Sequence, residues 1–381
     1  MTEVRVTARG ADRWRAGHPW IHRSEVRDGP GEPGLVRVRD PRGKFIGQAL
    51  YSPASEIRLR LLEPTDRAVD RAWWRERLAA CVARRAGIDA TAWRVVHGEG
   101  DALPSLVVDR YDRWIVAQLL SAGLETVRAD VIGALVDVLA PDGILFRHDT
   151  PVRRRERLPE ETVVACGSVP EEIEVREGRV RYLAAPWTGQ KTGAFLDQRE
   201  NYAAAAEYAC GDALDVFCYQ GGFALHLAPR CKQVTGVDSS RPALEVADQN
   251  ATLNRREIEW IEANAFDLLK DYAASNQQYD TVVLDPPAFA KTKRDLDSAL
   301  RGYKELNLRA LKMLRPGGVL VTCSCSYHVS QSTFREMLAS AAVDAHRTLR
   351  LLEVRGQGKD HPVLLNVPET AYLKCVIGHV T

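Results

Sequence analysis

Two short stretches of this chain hold residues able to do covalent chemistry. Val319-Leu-Val-Thr-Cys-Ser-Cys-Ser-Tyr327 is a β-branched run that ends in two cysteines, Cys323 and Cys325. Thr281-Val-Val-Leu284 is a second apolar run, closed by Asp285 and held by Pro286 and Pro287. Alternate residues of an extended strand share a face, so both thiols point the same way, with Cys325 further past the strand end. A thiol and a carboxyl group at the ends of two strands suit attack on the ring of an unstacked pyrimidine. In that chemistry the thiolate adds to carbon 6, and an acid at the N3 edge neutralises the developing charge. Cys325 is the expected nucleophile, Asp285 the expected acid, and Cys323 a packing residue. No base for the carbon 5 proton stands out, although Tyr327 and His328 are neighbours worth testing. Phe289 is placed either to stack on a flipped base or to fill the core. These residues point to an RNA-modifying enzyme.

Such groups need a sheet to position them. From Glu171 onwards, apolar strand patterns alternate with helical ones: Ala213–Cys218, a helix at 223–228, Gln233–Val237, a helix at 241–254, 258–261, Thr281–Leu284, a helix at 303–314, and Val319–Cys323. This alternation predicts an α/β, Rossmann-like fold with a doubly wound, mainly parallel sheet, whose ligands bind beyond the carboxyl ends of the strands. The first strand passes through Asp215-Val-Phe-Cys-Tyr-Gln-Gly-Gly222 into a helix. Its paired glycines let backbone approach a ligand closely. The next strand ends in Asp238-Ser239, where an acidic residue commonly binds ribose hydroxyls, and a third in Glu262-Ala-Asn264-Ala265, whose amide suits an adenine edge. The G-x-G-x-x-G fingerprint of dinucleotide sites is missing, which disfavours NAD. S-adenosylmethionine has no phosphate to cradle and fits better.

The rest of the chain divides by pattern. Residues 1–70 read as a small β-rich domain, 71–170 as a compact α+β unit, and 171–381 as the catalytic domain opening with a hairpin around Glu177-Gly178. In the first domain, Arg37, Arg39, Arg58 and Arg60 alternate with apolar residues, which predicts one basic sheet face. The run Arg153-Arg-Arg-Glu-Arg157 reads as a polar loop, with a phosphate contact as the functional alternative. At 381 residues the chain exceeds one ordinary core, and 45% hydrophobic with 27% charged residues excludes disorder. A net charge of +1 means that any polyanion is met by local patches. The eight cysteines lack zinc spacing, no apolar stretch is long enough for a bilayer, and the first residues lack a signal-peptide core. A cytoplasmic, metal-free protein is expected.

Taken together, Gly17-His-Pro-Trp20, Gly98-Glu-Gly-Asp-Ala-Leu-Pro104, Gly189-Gln-Lys-Thr-Gly193, Phe195-Leu-Asp-Gln-Arg-Glu-Asn201, Asp215–Phe223, Asp285-Pro-Pro-Ala-Phe289 and Ser324-Cys-Ser326 carry a resemblance that covers nearly the whole chain. The chain closely resembles the class I S-adenosylmethionine-dependent methyltransferases that form 5-methylcytosine in large-subunit (23S) ribosomal RNA and carry an N-terminal PUA domain. The resemblance implies that Arg199, Tyr219, Gly221, Asp238, Asn264 and Asp285 surround the cofactor, with Gln198, Asp215, Phe217, Cys218, Gly222, Ser239 and Ala265 completing the pocket. It implies RNA contacts from Lys191, Phe289, Arg153, Arg154 and Arg155, ribosomal RNA as partner, and a homodimer. Generic methyltransferases carry D-x-G-x-G-x-G at the first strand end; here Phe217 and Tyr219 interrupt it. Two rival readings remain. A purine N-methyltransferase would use Asp-Pro-Pro without a thiol, and a non-catalytic RNA-binding factor would keep the fold as scaffold.

Overall fold

The computed structural model describes residues 2–290 and 292–381. The chain divides into two compact units: Met1–Gly178 with Ala184–Leu196 and Lys359–Thr370, and Arg179–Leu183 with Asp197–Gly358 and Ala371–Thr381.

The first unit holds two sheets. Strands β1 (Thr2–Val6), β2 (Trp20–His22), β3 (Val26–Asp28), β4 (Gly34–Arg39), β5 (Phe45–Tyr51) and β6 (Ile57–Glu63) pair in the order β2-β6-β5-β4-β1-β3, with helix α1 (Ala8–Arg15) after β1. Strands β7 (Ala92–His97), β8 (Leu106–Tyr111), β9 (Trp114–Leu119), β10 (Gly143–Arg147) and β11 (Thr162–Gly167) form the second sheet, ordered β11-β10-β9-β8-β7. Helices α2 (Arg71–Arg84), α3 (Ala122–Glu125) and α4 (Arg128–Leu139) accompany it. One cluster unites Trp73, Trp74 and Leu78 of α2, Val131 and Leu135 of α4, and Val96, Val108 and Phe146 of the strands.

Three expectations change here. Residues 124–139 read from the sequence as one helix, but the structure has two, with Ser121 capping α3 through its hydroxyl and α4 starting afresh. The arginine stripe of the first sheet is not a bare basic face: Arg37 pairs with Asp66, Arg39 with Glu3, and buried Arg60 with Glu156 at 2.9 Å. Finally, the 153–157 run is not a polar loop. It lies in and just beyond helix α5 (Pro151–Arg155), which turns Arg153 fully inward. That guanidinium donates to Leu119 O (2.6 Å), Pro159 O (2.8 Å) and Glu125 (2.9 Å), so Arg153 braces the interior and is withdrawn from any phosphate. Arg154 and Arg155 stay exposed.

After the hairpin strands β12 (Ile173–Glu177) and β13 (Val180–Ala184), the second unit is built on a seven-stranded sheet. Its strands are β14 (Asp212–Val216), β15 (Gln233–Asp238), β16 (Glu259–Glu262), β17 (Tyr279–Leu284), β18 (Leu314–Ser324), β19 (Leu349–Arg355) and β20 (Lys374–Val380), in the order β16-β15-β14-β17-β18-β20-β19. The first five run parallel, and β20 inserts antiparallel between β18 and β19. Helices α6 (Arg199–Tyr208), α7 (Gly222–Leu227), α8 (Arg241–Leu253), α9 (Ala265–Ala274), α10 (Leu296–Met313) and α11 (Gln331–Asp344) complete the unit. Both sheet faces are covered: Leu214, Val216, Val282 and Leu320 pack in one cluster, while Ala213, Val283, Val321 and Cys323 pack in another. Two-sided burial is why these strands read as continuous apolar runs instead of alternating ones. No helix among the described residues is long and apolar enough to cross a membrane.

Candidate active site

Because β14 to β18 run parallel, their carboxyl ends lie along one edge of the sheet, and the turns that follow them form the crevice. The β14–α7 turn has an unusual backbone. Phe217, Tyr219 and Gly221 all adopt positive φ (66°, 49° and 84°). These are the three positions where the generic motif has glycine, so the motif's backbone persists although two of its glycines do not. Each left-handed aromatic costs about 1–2 kcal/mol. The end of β15 helps hold the conformation: Phe217 N and Cys218 N donate to Val237 O (2.9 and 3.0 Å), and Tyr219 N donates to Asp238 Oδ2 (2.9 Å). Glycine is required at 221 and 222 for a further reason. A Cβ would stand 2.7 Å from the Trp260 ring at Gly221 and 2.6 Å from that of Tyr202 at Gly222.

Side chains of this turn divide by direction. The Phe217 ring packs against the sheet's apolar cluster. Cys218 is buried, and burial pushes its thiol well up, so its backbone is what it offers a ligand. Asp215 is fully buried; Oδ2 accepts from Ala224 N (2.9 Å), while Oδ1 has no partner among the described residues. Burial, with Asp285 and Asp238 nearby, pushes this carboxyl up to about 8. Three carboxyl groups therefore gather at neighbouring strand ends. Asp238 is half-buried, and its Oδ1 accepts from Ser240 N (2.9 Å). Ser239 is exposed beside it. At the end of β16, Asn264 caps α9: its Oδ1 accepts from Phe266 N (2.9 Å) and Asp267 N (3.4 Å), which leaves the donor end of the amide for a ligand, above buried Ala265.

Asp285 lies just past β17, where Pro286 and Pro287 cannot extend the ladder. Its Oδ2 accepts from Gln198 Nε2 (2.9 Å), and Gln198 in turn accepts from Asn201 Nδ2 (2.6 Å). Arg199, buried, starts α6 beside them. On the neighbouring strand, Leu284 pairs with Thr322, and three residues later Cys325 brings its half-buried sulfur 4.0 Å from Pro286 O. Cys323 instead faces Cys375 within the sheet, with its thiol raised well above the ordinary range by burial. Phe289 packs 4.7 Å from Tyr303 and 6.0 Å from Phe266, half-buried among apolar side chains. Tyr327 is exposed, its ring edge-on to His328.

Two groups in this neighbourhood were not singled out from sequence. Tyr303 Oη lies 2.9 Å from Ser326 Oγ, which accepts from Ala290 N (3.1 Å). Lys374, on β20, is buried and donates to Ser326 O (2.6 Å) and Tyr372 O (2.8 Å). A lysine inside the apolar run Lys374-Cys-Val-Ile377 is the signal that could have drawn attention.

Lys191, Arg154 and Arg155 belong to the first unit. There Thr192 donates to Asp109 Oδ2 (2.5 Å) and Arg147 donates to Pro186 O (2.6 Å), which anchors the 185–193 loop. Lys191 is exposed, its ammonium 4.4 Å above the Phe195 ring. No group of His, Cys, Asp and Glu that could hold a metal occurs among the described residues.

The strand-end residues fit S-adenosylmethionine. An orphaned buried carboxyl oxygen, a turn with bare backbone and a gathering of acidic groups suit a ligand with hydroxyls and a sulfonium charge, and no phosphate-binding glycine loop is present. Fold and site together define a Rossmann-like, S-adenosylmethionine-dependent methyltransferase. Residues 146–375 match the family model of S-adenosylmethionine-dependent methyltransferases, and residues 4–64 that of a PUA-like domain. The chain is 37% identical over 376 residues to the ribosomal RNA large subunit methyltransferase I of Pseudoalteromonas atlantica, covering 95% of each. With the Klebsiella pneumoniae protein of that name it shares 38% over 373 residues, covering 94% of this chain and 93% of the other. The chain belongs to this family of methyltransferases. A S-adenosylmethionine-dependent methyltransferase structure from Streptococcus mutans superposes over both full chains with a TM-score of 0.84 at 17% identity, and a methyltransferase structure complexed with SAH does so at 0.86 and 18%. At those identities the likeness concerns the fold.

Proposed function

We propose that this chain forms 5-methylcytosine in 23S ribosomal RNA through a covalent bond between Cys325 and carbon 6 of the base. The observation that carries the reading is that Asp285 and Cys325 follow the ends of two paired parallel strands, with the Cys325 sulfur 4.0 Å from the carbonyl of Pro286, the residue after Asp285. The thiolate adds to carbon 6 and drives an electron pair to carbon 5, while the Asp285 carboxyl neutralises the charge at N3. S-adenosylmethionine, when bound, would supply an electrophilic methyl group for that carbon, with the neutral thioether S-adenosylhomocysteine as the leaving group. The carbon 5 proton then passes to water, the C–H electron pair re-forms the bond between carbons 5 and 6, and the thiolate leaves, which restores Cys325. Gln198 orients Asp285, and the Pro286-Pro287 turn fixes where it stands. The names of the relatives support ribosomal RNA as substrate. The PUA-like domain, with exposed Lys191, Arg154 and Arg155, supplies sequence-independent phosphate contacts. Asn264, Asp238 and Arg199 hold the cofactor; the setting is cytoplasmic and the enzyme a homodimer.

The test uses a large-subunit transcript labelled with tritium at carbon 5 of cytidine. Methylation at that carbon must release tritium to water in step with methyl incorporation. Methyl incorporation without tritium release, with an N-methylpurine in the nucleoside digest, would replace this reading with the purine one.

A further inference from the structure

Lys374 lies directly opposite Ser324 in the β18–β20 ladder, one residue before Cys325. Its side chain is buried, and its ammonium is steered by the carbonyls of Ser326 and Tyr372, the first of which follows Cys325 in the chain. Carbonyl oxygens direct the amine without cancelling its charge. The charge of a Cys325 thiolate does act on it: burial pulls the amine down to about 8, while the thiolate opposes that fall. The attraction is mutual, so the ammonium in turn favours the thiolate. Tyr303 also faces the thiol, but burial pushes its phenol up and it stays neutral, bonded to Ser326. Asp285 lies just past the end of β17, and the buried thiols Cys323 and Cys375 bring no positive charge.

We propose that Lys374 is the positioning residue that holds Cys325 in its thiolate form for attack, an inference that rests on reading Cys325 as the nucleophile. The step is a simple ionisation. The thiol proton leaves to water, the electron pair stays on sulfur, and Lys374 keeps its own proton. Thiols beside a lysine are known to ionise at lower pH than free ones.

The experiment measures alkylation by iodoacetamide across pH 5.5 to 9.5 on the intact protein without RNA, with each cysteine peptide quantified by mass spectrometry. Exposed Cys210 is the internal reference. In the wild type, the Cys325 midpoint should lie at least one pH unit below that of Cys210. Lys374→Met should raise it by at least one unit, Lys374→Arg should restore it, and Cys210 should not move. An unchanged Cys325 midpoint in Lys374→Met would show that the lysine only packs. Should that variant fail to fold, a wild-type Cys325 midpoint no lower than that of Cys210 overturns the proposal by itself. The readout also separates the two claims. A lowered midpoint without 5-methylcytidine formation removes the functional reading and leaves the lysine–thiolate pair. An unlowered midpoint with active methyl transfer removes the pair alone.

Discussion

The two units treat buried charge in opposite ways. In the first, buried carboxylates are answered by arginine forks: Arg85 grips Asp101 with two bonds (2.7 and 2.5 Å), Arg94 grips Asp109 with two (both 2.8 Å), and Arg60 meets Glu156. In the second, Asp238 accepts from the backbone N–H groups of Tyr219 and Ser240, and Lys374 donates to the carbonyls of Ser326 and Tyr372. Paired charges specify a shape and do little else. Charges met by neutral dipoles keep their reach, which is what a site for a cationic cofactor and a reactive thiol requires.

Removing one group from each unit should separate these roles. Cys325→Ala is expected to lower methyl transfer by at least about ten-thousandfold at nearly unchanged stability, whereas Cys323→Ala should keep most activity and melt lower; single-turnover rates and thermal melts distinguish them. Next in size is Asp101→Ala. It strands Arg85 in the interior and should cost about 3–5 kcal/mol in urea unfolding, with activity per folded molecule retained. Arg153→Ala should follow at about 3 kcal/mol, since it removes three bonds from a buried position.

A separate effect concerns pH. Asp215, held near 8 when folded against an ordinary 3.8, keeps a proton that the unfolded chain has lost. Its contribution to stability is therefore complete below about pH 4 and declines as pH rises to about 8. Asp215→Asn should flatten this part of the profile, read as a smaller difference in melting temperature between pH 5 and pH 8. His148 and His226, both lowered to about 4 by burial, act in the other direction on the acid side and are common to both proteins. Smallest of all should be Arg154→Ala, adjacent to Arg153 in sequence yet exposed and paired only with Glu160 among the contacts described. It should change stability by no more than about 0.5 kcal/mol. Its effect should appear instead as a shallower salt dependence of RNA binding.

That pair of arginines also marks the limit of what the sequence discloses. The parallel sheet was legible because β-branched runs buried on both faces leave a local signature, and the strand-end acids and Cys325 follow from counting along those runs. Arg153 reads as a loop residue because its partners, Leu119 and Glu125, are remote in sequence and only α5 turns it toward them. Lys374 is hidden in the sequence for a similar reason. Nothing local announces that β20 returns to insert beside β18. The turn after β14 was obscured differently: its glycine-like backbone is worn by Phe217 and Tyr219, whose side chains suggest packing, not left-handed geometry.

The most direct measurement of the central claim is a denaturing gel of the enzyme incubated with S-adenosylmethionine and a large-subunit transcript containing 5-fluorocytidine. Fluorine at carbon 5 cannot leave as a proton, so a thiol mechanism leaves protein covalently joined to RNA. The account predicts an adduct that persists in Cys323→Ala and vanishes in Cys325→Ala. Methyl transfer to ordinary transcript with no adduct on the fluorinated one would contradict it.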